Sequence, residues 1–412
     1  MKKLINSTKF SNIVEIASGK LLGHDFLCRN LKKKKIFITD KKIWKNCAKF
    51  FEQDFLNNFN EILFLENPKA DDENLKKISN KLKKIDLIIG LGSGTINDLC
   101  KFSAANKNIS YAIFASAASM NGYLSKNASI TVNSHKKTLI ATLPEKVFCN
   151  LNILRNAPVE LTKAGLGDVM CFYSCYFDWF LSGAILQTEF NEKPFEILHE
   201  KMQFLIKNYS KFSIKNDEFL QLLIEILMLS GFGMTLAGSS NPASQSEHLI
   251  AHSLDMKYPK EFTKLLHGQV IAVSTLSASE KQELLLKKDF KQLLIDLKLR
   301  ANAVLNDKNK LEELQKKLIN FFGKKVAEAC LCEYLQKLEL IRNANNLSSK
   351  DLQKLHQIYF PKEELRKIFA HFKVKTTTKS LGFTNEEYLA AVEMAPFIRN
   401  RFTCLDFFGF FN

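Results

Sequence analysis

The chain predicts an α/β N-terminal domain with a parallel sheet, followed by an all-α C-terminal domain, and three observations carry this. Short apolar runs alternate with amphipathic stretches from Lys35 to about Asn150, the pattern of strand–helix–strand units. Beyond Leu151 the strand signal fades and helical periodicity runs to the end. A length of 412 residues is also long for one core, and 46% apolar residues suffice to fill two. The predicted domains are residues 1–155 and 156–412.

Taken in order, KIFITD (35–40), EILFLE (61–66), IDLIIGLG (85–92) and SYAIFA (110–115) read as strands. Between them KIWKNCAKFFEQDFL, DDENLKKISNKLKK and TINDLCKFSAAN repeat apolar residues every three to four positions and read as helices. Strands alternating with helices imply right-handed parallel crossovers. ASITVNS, KKTLIATLP and KVFCN, richer in β-branched residues, read as a small strand extension closing the domain. Farther on, FEILHEKMQFLIKNY, DEFLQLLIEILMLSGFGMTLAG, ASEKQELLLKKDFKQLLIDL, NKLEELQKKLINFFG and DLQKLHQIYF read as helices, with the polar NDKNK as a turn.

Composition excludes several classes. The net charge of +16 comes from lysines alternating with Leu and Ile at helical spacing, a solvated face and not a nucleic-acid footprint. A basic surface still attracts anionic substrates and cofactors. No uninterrupted apolar run reaches the roughly 18 residues that span a bilayer. The opening MKKLINSTKFSNIVEIASGK lacks a secretory pattern. These features predict a cytoplasmic location with no membrane partner. Nine scattered cysteines without CxxC spacing read as reduced and packed, Cys171 and Cys175 among them.

In GLGSGTIND, Gly90, Gly92 and Gly94 stand where a strand gives way to a helix. Residues without Cβ let the backbone approach a pyrophosphate, whose charge meets the helix N–H groups. The third glycine of GxGxxG is missing, so a plain strand-to-helix turn stays open. The next strand ends in Ser116, Ala117, Ala118 and Ser119, small enough to admit a flat ring, with two hydroxyl donors. Asp40, closing KIFITD, is a candidate for the adenosine ribose, and the adjoining Lys41 and Lys42 suit a 2′-phosphate, so the cofactor is NAD or NADP.

His248 and His252 lie four apart on one helix face, and His267 opens HGQ. With Asp168 of AGLGDVM they form a donor set suited to Zn²⁺, Fe²⁺ or Ni²⁺ with an open coordination position. The bland readings are a chance HxxxH pair and a helix cap at Asp168. Arg399 and Arg401 offer a bidentate phosphate site or an inter-helix ion pair. The Phe-rich end LDFFGFFN suits docking on the helical domain or a partner chain.

Together GLGSGTIND, SAASMNGYLS, AP-x-x-L-x-x-AGLGD with Asp178–Trp179, NPASQSEHLIAH, LLHGQVIAV and FIRNRFTCLD resemble the sn-glycerol-1-phosphate dehydrogenase family, part of the iron-containing alcohol dehydrogenase and dehydroquinate synthase group. The resemblance runs in order from about residue 35 to 407. It implies that Gly92, Ser93, Gly94, Thr95 and Ile96, with Ser116 to Ser119 and nearby Ser125, contact NAD or NADP. It implies that Asp168, His248 and His267 hold one divalent metal and that His252 faces the substrate with Asp168 as catalytic partners. The implied reaction reduces dihydroxyacetone phosphate to sn-glycerol 1-phosphate in a homo-oligomer.

Two departures fall at substrate positions. The family's SMDGY is SMNGY here, placing Asn121 where a carboxylate is expected, and the lysine of G-D-x-x-A-K is Phe172. Both point to a changed small phosphorylated or phosphonate carbonyl substrate. A dehydroquinate-synthase-like cyclase, which leaves the cofactor pool unchanged, and a non-catalytic relative are the other readings.

Overall fold

The computed structural model describes residues 12–132 and 135–408, with the side chains of residues 135 and 136 left aside. Residues 1–11 of the opening segment and 409–412 of the Phe-rich end lie outside the described residues. Eight strands occur among those described: β1 (Val14–Ala17), β2 (Lys35–Asp40), β3 (Glu61–Leu65), β4 (Leu87–Gly92), β5 (Ser110–Ala115), β6 (Asn127–Val132), β7 (His135–Ile140) and β8 (Lys146–Asn150). Six form one wholly parallel sheet in the order β1-β8-β5-β4-β2-β3. The expected parallel sheet and the helical remainder are both present.

Burial on both faces explains the near-continuous apolar strands, and every residue of β4 is buried. Alternate side chains serve opposite faces. Phe37, Ile89, Leu91, Phe114 and Phe148 join Trp44, Phe51 and Phe55 in an aromatic core, with Phe114 and Phe148 stacked at 4.6 Å. On the other face Gly90 admits the helix Gly94–Lys107: a Cβ there would fall 2.6 Å from Ile113 Cδ1 and 3.0 Å from Cys100 Sγ.

Several elements differ from the sequence expectation. KVFCN is no edge extension: β8 enters the main sheet between β1 and β5, while β6 and β7 pair alone as an antiparallel hairpin. KVFCN buries four consecutive residues, as an interior strand does, whereas β6 is buried only at alternate positions in its first half. β1, half-buried and carrying Glu15, has too little apolar signal to be read from sequence. The helix expected over 42–56 stops at Cys47 and continues as 3₁₀ turns at Ala48–Phe50 and Phe55–Asn58, which carry Phe51 and Phe55 into the aromatic core. The one expected over 278–297 breaks at Lys288–Asp289, where Asp289 caps the next helix through Lys291 N and Gln292 N.

The chain parts into two compact units, Met1–Leu166 with Glu196–Leu236 and Gly167–Phe195 with Ala237–Asn412, in place of a single cut at 155. The first unit takes the long helix Asp217–Ala237 because that helix packs on the segment after β5. Gly231 leaves room for Asn121 O, which a Cβ would approach to 2.2 Å, and Thr235 Oγ1 donates to Leu124 O at 2.8 Å. Two helical stretches, Val159–Leu186 and Asp217–Ala237, are long and apolar enough by length and composition to cross a membrane. The count of uninterrupted apolar runs passed over them because scattered polar residues break the runs without lowering the average. Of each apolar window 67% is buried within the protein, as in core helices.

Candidate functional site

In the first unit the predicted cofactor residues gather at the carboxyl edge of the sheet. β2 leads onward to β3 on one side and β4 to β5 on the other, so the β2/β4 boundary is the topological switch point where α/β sheets bind ligands. Asp40 ends β2 and Gly92 ends β4, with Gly92 in register with Ala115 of β5. A Cβ at Gly92 would lie 2.4 Å from Ile96 Cβ, so the turn requires glycine in order to close on its own helix. At Gly94 the nearest atom to a Cβ is Met120 Cγ at 3.8 Å, an ordinary contact, so nothing crowds the first helical turn there. Ser93 makes no side-chain cap there, so the helix N-terminus relies on other partners.

Other predicted contacts are more enclosed than expected. Ile96 is buried beneath Gly92, leaving only its main chain for a ligand. Ala117 and Ala118 are fully buried, and Gly165 has no side chain because a Cβ would meet Ala118 O at 2.0 Å. Ser116 and Ser119 are nearly so, and Ser125 Oγ accepts from Asn127 N at 3.1 Å. Thr95 lies in the first helical turn. Asp40 Oδ1 caps the following helix by accepting from Lys42 N at 2.6 Å; Lys41 pairs with Glu66, and Lys42 Nζ donates to Asn67 Oδ1 at 2.6 Å. Asn121 Nδ2 donates to Ser230 Oγ at 3.2 Å.

The second unit brings together the three predicted metal residues. One donor atom from each of Asp168, His248 and His267 lies within 4.8 Å of the others. Asp168 sits inside the helix Val159–Val169, so it is no helix cap. His248 is the third residue of the helix Ser246–Lys257, and His267 begins the helix His267–Lys287. Gly167 brings the first and last of these helices into contact: its Cβ would stand 2.1 Å from Gly268 O. His267 Nε2 lies 3.2 Å from His248 Nε2 and 3.8 Å from Asp168 Oδ1. Two nitrogens bound at about 2.0–2.1 Å to one tetrahedral ion stand about 3.3–3.4 Å apart, so the imidazole pair fits a single divalent cation.

Sequence reasoning missed the groups that hold this site. Glu247, wholly buried, accepts from His248 Nδ1 at 2.8 Å and thereby leaves Nε2 as the donor atom facing His267. The same carboxylate accepts from Gln245 N at 2.8 Å, Ser174 Oγ at 2.7 Å and Cys175 Sγ at 3.1 Å. Burial works to raise its pKa, but the hydrogen bonds from His248, Gln245 and Ser174 outweigh it and hold the carboxyl at about 2. A carboxylate beside HxxxH was the available signal, since an imidazole ligand needs an acceptor for its other nitrogen. Asp178 Oδ2 accepts from Ser246 N at 3.2 Å, and its Oδ1 from Cys404 N at 3.0 Å and Gln282 Nε2 at 3.2 Å. It therefore ties the start of the Ser246–Lys257 helix to the C-terminal segment, and burial lifts its pKa to about 6.

His252 is half-buried one turn beyond His248, with ring centroids 6.4 Å apart. Cys171 and Cys175 flank the site at 3.8 Å from each other and form with Glu247 a second close group of potential ligand atoms. The Cys171 thiol is lowered by its hydrogen bond with Cys175, yet burial and Glu247 carry it up to about 11. Protonated, packed thiols follow. Phe172 is buried edge-on to Tyr173 and Phe195, so this position belongs to an aromatic cluster. The phosphate reading of Arg401 gives way: Nη1 donates to Ser244 O and Oγ and Nη2 to Ser240 Oγ at 3.1 Å, where the C-terminal segment braces the approach to the ligand helix.

One unit thus holds a doubly wound parallel sheet, and the other an Asp–His–His donor set among helices. Residues 15–158 match the iron-containing alcohol dehydrogenase family. A glycerol-1-phosphate dehydrogenase [NAD(P)+] of Thermococcus sibiricus is 31% identical over 229 residues, 54% of this chain and 65% of that protein. One of Methanosarcina acetivorans is 28% identical over 286 residues, covering 67% of this chain and 79% of the relative. The chain thus spans just under two thirds of the first relative's length. A sulfoacetaldehyde reductase from Bifidobacterium kashiwanohense, solved in complex with NAD+, has the same fold, with a TM-score of 0.60 at 12% identity over 96% of this chain and 95% of that one. Residues 15–158 are thus similar to the iron-containing alcohol dehydrogenase family, and both of these curated relatives are glycerol-1-phosphate dehydrogenases.

Proposed function

We propose that this chain is a metal-dependent NAD(P)H oxidoreductase that reduces a small phosphorylated carbonyl compound, with dihydroxyacetone phosphate going to sn-glycerol 1-phosphate as the leading candidate. The observation that carries the reading is the convergence of Asp168, His248 and His267, with the two imidazole nitrogens 3.2 Å apart. Similarity to glycerol-1-phosphate dehydrogenases supports the substrate class. The first turn of Gly94–Lys107 receives the pyrophosphate and Asp40 lies near the ribose. Ser116 to Ser119 and Ser125 border the nicotinamide.

Asp168, His248 and His267 would hold a Zn²⁺, Ni²⁺ or Fe²⁺ ion, which would supply Lewis-acid chemistry for carbonyl reduction by NAD(P)H. Glu247 keeps His248 in the tautomer that offers Nε2. Asp168 would also orient the substrate at that donor set. His252 holds the proton that the product oxygen takes up. The site operates in a cytoplasmic homo-oligomer.

Asn121 and Phe172 favour a second reading within the same chemistry, a different phosphorylated or phosphonate carbonyl compound. A carboxamide tied to Ser230 and an aromatic ring packed on Phe195 present neither of the charges that the family pattern carries. The test is oxidation of added NADH or NADPH by metal-reconstituted protein across a panel of phosphorylated ketones and aldehydes. Net oxidation with dihydroxyacetone phosphate supports the leading candidate. Oxidation with another panel member alone supports the second. Substrate conversion without net oxidation supports a cyclase and overturns both.

A further inference from the structure

The helix Gly94–Lys107 also carries two wholly buried polar side chains below its first turn, Asn97 and Lys101. Lys101 Nζ donates to Gly122 O at 2.6 Å and to Asn127 O at 2.9 Å, and lies 3.7 Å from Asp98 Oδ1. Asn97 Nδ2 reaches the same Gly122 O at 3.4 Å, and Asp98 Oδ2 accepts from Ser129 N at 3.1 Å. Three polar positions of this helix therefore bind the segment between β5 and β6 and the start of β6 itself. That segment has little regular structure beyond a 3₁₀ turn at Gly122–Leu124, so its form depends on such ties.

Burying an ammonium is unfavourable unless hydrogen bonds and charge replace its water, and a methionine would fill the same space without that demand. Here the carbonyls of Gly122 and Asn127 bracket Ser125, and Gly122 adjoins Asn121. The opposite side of the segment is held by Thr235 and by the close fit at Gly231. The lysine is the charged tie on the side of the nucleotide helix.

We propose that Lys101 is a positioning residue that locks the 120–127 segment, with Asn121 and Ser125, to the helix whose first turn faces the dinucleotide. The inference rests on the dinucleotide reading above. It separates two halves of the cofactor: the Gly92–Gly94 turn belongs to the helix itself, whereas the 120–127 segment depends on Lys101.

The test compares native protein with Lys101→Met, using ADP-ribose and NADH as probes together with hydrogen exchange. In Lys101→Met, ADP-ribose affinity stays within about twofold while NADH binds about fivefold to tenfold more weakly, the loss of one charge-assisted hydrogen bond's influence. Amide protection falls in 120–129 and is retained in β4 and β5. Should the methionine variant fail to fold, Lys101→Gln, whose amide can still reach one carbonyl, gives the same split at about twofold to threefold. Equal weakening of both probes, or unchanged NADH affinity with unchanged exchange in 120–129, overturns the proposal. Native protein that binds neither probe removes the dinucleotide reading itself and the proposal with it, an outcome distinct from loss in the variant alone.

Discussion

Replacing Glu247 by glutamine keeps the shape of the side chain and removes its charge. Three donors converge on Oε1, namely Gln245 N at 2.8 Å, His248 Nδ1 at 2.8 Å and Cys175 Sγ at 3.1 Å, while Oε2 accepts from Ser174 Oγ at 2.7 Å. The glutamine oxygen will therefore take the Oε1 place and its amide will face Ser174. That hydroxyl also lies 2.9 Å from Cys171 O, so its one proton can turn to that carbonyl while its oxygen accepts from the amide, without a donor–donor clash. What disappears is the charge assistance to His248. Charged hydrogen bonds contribute roughly 1.5–3 kcal/mol against about 1 for neutral ones, a difference of about 0.5–2 kcal/mol. Zn²⁺ affinity should fall about tenfold, at the lower end of the 10–100-fold range typical for partners of ligand imidazoles. Titration of metal-free protein against a chromophoric chelator measures this, with thermal melting as the control for folding. A glutamine variant that folds normally and holds Zn²⁺ as tightly as native protein refutes the argument that Glu247 sets the ligand nitrogen.

His267→Ala removes one of three ligands, so metal content and turnover should both be lost while NADH affinity stays within about twofold; loss of NADH binding with metal retained would contradict the assignment. Burial lifts Asp178 to about 6, above its unfolded value of about 3.9, so the folded state binds more protons between these values. This group's contribution is fullest below pH 4 and falls by roughly 3 kcal/mol as pH rises through 6. Denaturant midpoints of Asp178→Asn relative to native protein should show that slope missing over pH 4–6, and parallel curves would count against it. Gly92→Ala drives a Cβ to 2.4 Å from Ile96 and should destabilise by about 1–3 kcal/mol. Gly94→Ala meets only Met120 Cγ at an ordinary 3.8 Å, leaving stability near native while raising KM for NADH. Equal melting temperatures for the two alanine variants would defeat the packing argument.

The sheet was largely legible because β2, β4 and β5 are interior strands whose apolar runs stand between amphipathic helices. β1 and the true place of β8 were not, since pairing partners far apart in the chain leave no local mark. The same limit divides the site. His248 and His252 declare a shared helix face by spacing alone, but the meeting of Asp168 with His267 depends on two helices almost a hundred residues apart in sequence. Glu247 was overlooked because a glutamate next to a histidine reads as surface charge until burial makes its four hydrogen bonds visible. Arg401 stayed open between phosphate and ion pair for the converse reason: its partners, Ser244 and Ser240, lie far off in sequence and only the fold brings them to the guanidinium.

The donor set depends on backbone contact more than on the donors themselves. Asp168 follows Gly167 and His267 precedes Gly268, and at that pair the Val159–Val169 and His267–Lys287 helices approach so closely that a single Cβ would reach 2.1 Å from a carbonyl oxygen. A helix pair separated by ordinary side chains stands about 8–10 Å apart axis to axis, a spacing that longer acids such as glutamate can bridge, whereas here the two helices are in backbone contact. The glycine step closes that gap, and His248 enters from a third helix whose start is tied by Asp178 to the C-terminal segment. The short aspartate is thereby the fitting acid at 168: a glutamate's extra methylene would overshoot a site set by helices already in contact. The ligand triad is thus a product of how three helices pack, with residue identity supplying only the last few ångströms.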